Sequence, residues 1–480
     1  MIPRAHRRHS ISPRVLRHGS AIVALWLWVA PAAAIEVPQA PPAAGERIAA
    51  ASADSSRVPL RRTLTRIEFE GLGRTSRPSA ERATGLTLPT EATPERIQSA
   101  IDRLRESRLF ESVSARTRPD ESGEGVVLVF DVHESRPALR FGLGYEDFSS
   151  WYLIPAQLAF DNVAGSGVGV SASARIGYRV SGVDLAIRRP ALRSAREFWE
   201  VRLHGDAVDR VYYLDSTETQ HRVERGGLDL RFGRALGPVL SLEGWVAAEE
   251  VRVDSTARVL TARAGSGRAR DETVEFLQLP AAIQRDVRDR PQSRVGLALV
   301  LDRRTGEGLE TRGVWARASG EGAFSERGDF ASWQADVRGY TRVGSEAQLA
   351  LRLRAASLSR QAPFYERYYV GGLYTVRGYA SQVLSPPEGV LNLGAGSIEL
   401  RSAWLGPPAA PRFTAIAFLD GATGWNHRPP GAKDAAWGLG FGFRVRVPWL
   451  GSLGVDAARP LSPSPLDEAF HLNGSIGWTF

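Results

Sequence analysis

The chain has 480 residues, no cysteine and a formal net charge of +8. Without thiols it forms no disulfide bonds, and sites that bind zinc, haem or iron–sulfur clusters through thiolates are excluded. Five arginines and no acidic residue fall within positions 1–34, so the rest of the chain carries only about +3, which does not indicate a nucleic-acid-binding protein.

The first 34 residues have the pattern of a secretory signal peptide. The five arginines precede a short apolar run at 21–30, AIVALWLWVA, and three alanines follow at 32–34. This pattern predicts export, with cleavage near residue 34. The alternative is a membrane anchor, which the shortness of the apolar run disfavours. No later run of about 18 apolar residues predicts a transmembrane helix.

Residues 35–61 are rich in alanine, proline and serine, which predicts a flexible linker. Residues 62–136 change character and predict a small α+β domain. TLTRIEFEGL alternates as a half-buried strand does, and Thr93-Pro94 is typical of a helix start. Two further strands, VSARTRP and GVVLVFDVHE, are joined by a turn. The predicted order is therefore strand, helical region, helix, strand, strand.

Residues 138–480 predict an all-β transmembrane barrel. Segments of about 8–13 residues alternate apolar side chains with small or polar ones, as Trp437, Leu439 and Phe441 alternate with glycines. A soluble β-sandwich also alternates. Here, however, glycine, serine, asparagine and arginine fill the second face in segment after segment, which suits the polar lumen of a membrane barrel.

We count about sixteen antiparallel strands, an even number as expected of a bacterial barrel. The predicted starts lie near residues 139, 152, 167, 182, 198, 221, 238, 293, 312, 331, 346, 390, 412, 435, 451 and 470. The longest connections, near 253–291 and 359–389, each join an odd strand to the next even one. With the N-terminus in the periplasm, both connections lie at the extracellular end.

The second long connection contains FYERYYVGGLYTVRGYA at 364–380, in which Arg377 follows an apolar and glycine-containing run. This composition predicts a loop that folds inward. Because an unpaired buried charge is costly, Arg377 requires a carboxylate partner, and the lumen-facing Asp420 of AIAFLDGATG is the best candidate. Gly378 permits close approach to the wall, and Tyr379 can bury its ring while satisfying its hydroxyl. A purely structural Arg377–Asp420 pair, with no part in transport, is the alternative.

The stretch PFYERYYVGGLYTVRGY resembles the signature loop of the BamA/TamA superfamily of outer-membrane assembly and translocation proteins, the bacterial surface antigen family. The resemblance implies that the arginine of V-R-G-[FY] reaches the aspartate of an F-x-D-x-G motif, here Phe418 and Asp420. Ala422 replaces the glycine of that motif. The implied loop-lock residues are Gly371, Gly372, Val376, Arg377, Gly378 and Tyr379.

Other segments support the same resemblance. The α+β unit resembles a single POTRA domain, and GLGFGFRVRVPWLGSLGVDAARPL resembles the penultimate hairpin of the family. The last segment, FHLNGSIGWTF, resembles the C-terminal β-signal, although its aromatic residues also suit a girdle at the membrane surface. The implied signal residues are Phe470, Leu472, Ile476, Trp478 and Phe480.

The resemblance implies a non-enzymatic outer-membrane assembly factor without a cofactor, in a Gram-negative-type bacterium and with its POTRA domain in the periplasm. The glycine-rich first and last strands, LRFGLGYEDF and NGSIGWTF, predict a seam that opens sideways to insert clients. Implied partners are membrane lipid, unfolded outer-membrane or secreted clients, and periplasmic chaperones or accessory proteins. No nucleic acid is expected, and the scattered histidines predict no metal site.

Three other functions remain as alternatives. A translocation pore of the two-partner secretion type shares the barrel, loop and POTRA fold, but usually carries two POTRA domains and a plug helix. An enzymatic or lipase-linked barrel is disfavoured because the chain has no G-x-S-x-G motif. A plain diffusion porin needs neither the α+β unit nor the inward loop.

Overall fold

The computed structural model describes most of the chain from residue 62 onward. The predicted signal peptide and linker lie outside the described residues. The described ranges are 62–107, 109–123, 125–135, 138–146, 150–160, 162–177, 179–189, 197–214, 216–262, 269–429, 431, 434–447, 451–466 and 469–476. In these ranges, none of the helices has the length and apolar character needed to cross a membrane.

The first part is an α+β unit whose element order follows the one expected from the sequence, except for an additional two-residue strand between its two helices. Its elements are β1 (Thr63–Glu70), α1 (Arg77–Thr84), β2 (Thr90–Glu91), α2 (Pro94–Glu106), β3 (Phe110–Pro119) and β4 (Gly125–Glu134). The sheet order is β2–β1–β4–β3, with β1 parallel to β4 and the other pairs antiparallel. At the start of α2, the Thr93 hydroxyl accepts the N–H of Arg96 at 3.3 Å, so Thr93 is the N-cap.

The core of this unit lies between one face of the sheet and the two helices. Leu128 and Phe130 of β4 are fully buried, as are Ala100 and Leu104 of α2. Ala100 and Leu104 lie four positions apart, so they share one face of the helix. The apolar spacing in the sequence therefore set which side of α2 packs on the sheet.

The second part is a closed antiparallel barrel, which confirms the predicted fold class. Its strands are β5 (Ala138–Glu146), β6 (Ser150–Phe160), β7 (Gly169–Gly177), β8 (Val180–Arg189), β9 (Glu197–Leu214), β10 (Thr217–Ala235), β11 (Leu240–Val253), β12 (Ala257–Ala262), β13 (Ala269–Val274), β14 (Arg290–Asp302), β15 (Gly313–Phe324), β16 (Phe330–Val343), β17 (Ala347–Leu358), β18 (Asn392–Leu405), β19 (Phe413–Trp425), β20 (Ala436–Val447), β21 (Gly451–Pro460) and β22 (His471–Ile476). The order closes with β22 beside β5.

Sixteen of the strands described in this part form the wall. β11 pairs directly with β14 over most of its length, so β12 and β13 do not interrupt the wall. They form a hairpin that pairs with the first residues of β10 instead. Each of the sixteen predicted starts lies within four residues of a wall strand's first residue.

The wall strands separate an apolar outer face from a small and polar inner face. In β20, Trp437, Leu439, Phe441 and Phe443 are 42–53% exposed on the outside. The glycines between them and the buried Arg444 face the lumen. Apolar side chains exposed in a continuous outward band suit contact with lipid.

The connection between β11 and β14 contains structure that the sequence did not predict. Besides the β12–β13 hairpin it has a 3-10 turn, Phe276–Gln278, and a short helix α3 (Ala281–Gln284). Leu279 and Ile283 of this connection are buried in an apolar cluster with Phe364 and Tyr365, at the start of the inward loop. The two longest connections of the barrel therefore pack on each other.

Candidate functional site

The connection between β17 and β18 folds into the barrel. It starts with a 3-10 turn, Phe364–Glu366, and its residues become almost completely buried, although they belong to no strand. Val376, Arg377 and Tyr379 are each at most 1% exposed. The predicted loop-lock residues thus lie together inside the barrel.

Arg377 makes a bidentate contact with Asp420 on β19. The guanidinium Nε lies 2.6 Å from Asp420 Oδ2, and Nη2 lies 2.8 Å from Oδ1. The backbone N–H of Arg377 also donates to Asp420 Oδ2 at 3.1 Å. The guanidinium carbon lies 3.4 Å from the ring centroid of Phe418, so the predicted Phe418 makes a cation–π contact with Arg377. Two parallel bonds fix the orientation of the arginine as well as its position.

Two further carboxylates surround Arg377. Glu399 on β18 lies 2.8 Å from Nη2, and Asp456 on β21 lies 3.4 Å from Nη1. Each of these acids also has an arginine of its own: Arg401 lies 2.7 Å from Glu399, and Arg444 lies 2.7 Å from Asp456. We call Arg377, Arg401, Arg444, Glu399, Asp420 and Asp456 the Arg377 cluster. Its three arginines balance its three acids, as a buried cluster requires.

Sequence reasoning found only Arg377 and Asp420 of this cluster. Both missed acids occupy lumen-facing positions in alternating segments, Glu399 in SIELRS and Asp456 in LGVDAARP. The alternation of side chains along each strand would have placed both acids on the inner face. It could not show that they lie level with Asp420, because register depends on the pairing of successive strands.

The glycines and the tyrosine of the loop fit its tight path. Gly371, Gly372 and Gly378 have φ values of +117°, +92° and +101°, which favour glycine. At Gly378, an added Cβ would also lie 3.0 Å from the carbonyl carbon of Arg459. The buried Tyr379 hydroxyl donates to the carbonyl of Ser462 at 2.9 Å and accepts its N–H at 3.1 Å.

The part of the wall that contacts the loop is lined by glycines of β20. A Cβ added at Gly438 would overlap the carbonyl oxygen of Arg377 and lie 3.0 Å from its carbonyl carbon. A Cβ at Gly442 would overlap the carboxylate of Asp456. The segment GLGFG therefore makes room on its inner face for the loop and the cluster, while its large residues face outward.

Two of the predicted β-signal residues have exposed side chains in the structure. Phe470 and Leu472 are 59% and 71% exposed, consistent with an outward-facing apolar row. Ile476 is the last residue of β22. Trp478 and Phe480 lie outside the described residues. The role of all five in recognition stays a prediction.

A family model for the Omp85 superfamily domain matches residues 162–480. The chain belongs to the Omp85 superfamily. Its members are non-enzymatic outer-membrane barrels that act in protein assembly and translocation, in agreement with the resemblance to BamA and TamA. Within the described residues of this Omp85 chain, no group of three or more His, Asp or Glu side chains could hold a metal ion.

Solved structures show the same fold. BamA from Haemophilus ducreyi, lacking POTRA domains 1–3, superposes with a TM-score of 0.64 at 16% identity, covering 88% of this chain and 85% of that one. CdiB from Acinetobacter baumannii gives a TM-score of 0.52 at 12% identity, covering 86% and 73%. No curated protein matches the sequence significantly.

The α+β unit contacts the barrel through the loop after β1. The hydroxyl oxygen of Thr75 accepts Nδ2–H of Asn162 at 2.6 Å, and the N–H of Ser76 donates to the carbonyl of Gly165 at 3.0 Å. Asn162 and Gly165 belong to the turn between β6 and β7. These two hydrogen bonds join the α+β unit to the barrel.

Glu134, the last residue of β4, holds that loop in shape. Its carboxylate accepts the backbone N–H groups of Gly73 at 3.2 Å, Arg74 at 2.8 Å and Thr75 at 2.5 Å. Burial favours the protonated acid, but hydrogen bonds from Thr75, Arg74 and Gly73 outweigh it and lower the pKa of Glu134 to about 2. Because the pKa is depressed from 4.5, this contribution to stability is complete above pH 4.5 and is lost as the pH falls through about 2.

We expect Glu134→Gln to lower the free energy of local opening of this loop by about 1–3 kcal/mol, since charge-assisted hydrogen bonds are lost. Hydrogen exchange of the whole protein, read by mass spectrometry, should show faster exchange of the amides at 73–75. In the wild type, their protection should persist to about pH 3 and fall towards pH 2. Glu81→Gln, which removes an exposed ion pair with Arg77, is the control and should change nothing. Unchanged exchange in Glu134→Gln would contradict the assignment.

Proposed function

We propose that this Omp85 chain is an outer-membrane assembly factor that inserts β-barrel or other outer-membrane clients through a seam between β22 and β5. The observation that carries the proposal is the inward loop, which lies inside the barrel and is held by the buried Arg377 cluster. A held loop favours a sideways route for the client over a route along the lumen.

The two routes differ in what must be broken. Passage along the lumen would displace the loop and separate Arg377 from its carboxylates, and breaking a buried ion pair costs about 3–5 kcal/mol. Opening the seam breaks strand–strand hydrogen bonds, which an incoming client strand replaces by β-augmentation. The barrier to placing polar backbone in lipid falls, because the client's groups stay paired throughout.

The α+β unit fits the role of a single POTRA domain in the periplasm. β3 is an edge strand of its sheet, and it is ten residues long. An edge strand presents unpaired backbone N–H and C=O groups, which can pair with an extended client segment. Unfolded clients are the proposed partners, with chaperones or accessory proteins as further ones.

Reconstitution in liposomes tests the proposal. An unfolded small barrel is offered as client, and its insertion is followed as protease-protected, heat-modifiable protein. Liposomes with the wild-type chain should insert the client faster than empty liposomes do. A folded wild-type barrel that gives no acceleration would contradict the insertase function.

A translocation pore for one dedicated substrate is the second candidate, because the likeness to CdiB extends over most of the chain. Such a pore must release the inward loop and open its lumen. It would conduct ions in a planar bilayer when its substrate is present, and it would not accelerate client insertion. The two assays therefore separate the candidates.

A further inference from the structure

The inward loop has a second ionic contact, at its first turn. Glu366 ends the 3-10 turn Phe364–Glu366 and is largely buried. Its Oε1 lies 2.5 Å from Nη2 of Arg225 on β10 and also contacts Nη2 of Arg294 on β14. One carboxylate of the loop thus joins arginines from two wall strands.

Both arginines belong to a larger wall network. Nε of Arg294 lies 2.5 Å from Glu249 on β11, and its Nη1 lies 2.8 Å from Glu321 on β15. The indole N–H of Trp245 donates to Glu321 at 2.6 Å. Glu249 and Glu321 would still balance Arg225 and Arg294 without Glu366. Arg225 and Arg294 therefore each have an acidic partner in the wall besides Glu366, whereas Glu366 is the residue that links the first turn of the loop to both arginines.

Neighbouring contacts hold the same turn. Arg210 on β9 donates to the carbonyl of Tyr365, and the Asp286 carboxylate accepts the N–H of Phe364 at 2.8 Å. Asp286 belongs to the connection between β11 and β14. The first turn of the loop is therefore fixed both to the wall and to the other long connection.

The two ionic contacts of the loop lie on different parts of the barrel. Glu366 contacts β10 and β14, whereas Arg377 contacts β18, β19 and β21. Three wall strands, β15, β16 and β17, separate β14 from β18 in the closed order. The loop is thus attached at two points to separate groups of wall strands.

We propose that Glu366 is a positioning residue that fixes the first half of the loop, independently of Arg377, which fixes the second half. The loop is then attached to the wall at two independent points rather than at one. This goes beyond the proposed insertase function, and its test needs no client.

Single cysteines report each half of the loop, because the chain has no cysteine of its own. Ala362→Cys lies just before the Glu366 turn, and Ala380→Cys lies just after Arg377; the two alanines are 1% and 7% exposed. Their reaction with a membrane-impermeant maleimide is measured in the folded, heat-modifiable protein. In the wild-type background both cysteines should react slowly.

Adding Glu366→Gln should accelerate the labelling of Ala362→Cys by about tenfold. The labelling rate of Ala380→Cys should stay within about twofold of its rate in the wild-type background. Arg377→Met should give the opposite pattern. Glu388→Gln is the matched control, because Glu388 lies in the same connection and makes no ion pair among the described contacts. Equal acceleration of both cysteines by Glu366→Gln, or none in a folded barrel, would overturn the proposal.

Discussion

Replacing Arg377 by methionine is expected to lower the free energy of unfolding by about 3–5 kcal/mol. The change leaves three buried acids, Glu399, Asp420 and Asp456, with only two arginines in the cluster. It also removes the donors that orient the loop, so client insertion should fall towards the rate of empty liposomes.

Urea unfolding in detergent micelles, followed by tryptophan fluorescence and by gel mobility, measures this loss. Arg354→Met is the control: Arg354 lies beside the same loop but bonds a neutral carbonyl, that of Tyr374, at 3.3 Å, so its loss should cost about 1 kcal/mol. Arg377→Met combined with Asp420→Asn should be less destabilised than the sum of the single variants, since it removes both charges. A loss below 1 kcal/mol for Arg377→Met would show that the cluster does not hold the loop.

Gly438→Ala is expected to displace the loop without changing any charge. The added methyl group would overlap the carbonyl oxygen of Arg377, and because the backbone fixes the positions of both atoms, no side-chain rotation relieves the overlap. Overpacking of this kind typically costs about 1–3 kcal/mol. We expect that loss of stability, together with slower client insertion and faster labelling of Ala380→Cys.

Gly339→Ala is the control for this substitution. Gly339 also lies within a wall strand, β16, but a Cβ there would have no neighbour within 4 Å. Its stability should stay within about 0.5 kcal/mol of the wild type. If Gly438→Ala behaved like Gly339→Ala, the close approach of loop and wall would not matter for the protein.

The sequence predicted the barrel well because the same alternation of apolar with small or polar residues recurs in each wall strand. Each wall strand alternates between lipid and lumen, so a boundary misjudged by a few residues does not change the architecture. The β12–β13 hairpin lies above the wall, where that alternation is no longer required, and its strands have only six residues each. The long connection was therefore predicted, but not the structure within it.

The candidate site was predictable only where one buried residue requires a partner of opposite charge. A buried arginine demands an acid, and that demand led from Arg377 to Asp420. Nothing in the sequence required Glu399 or Asp456 at the same level, because strand register is a property of the assembled sheet. Glu366 was missed for a related reason: its partners Arg225 and Arg294 lie more than 70 residues away along the chain.

The seam between β5 and β22 gives the most direct test of the proposed function. Pairs of introduced cysteines along these two strands can be screened for a disulfide bond, and the chain offers no competing thiol. Client insertion is then measured in liposomes with the bond formed and again after its reduction. We expect no acceleration with the seam closed and wild-type acceleration after reduction; full acceleration with the seam closed would contradict insertion through a laterally opening barrel.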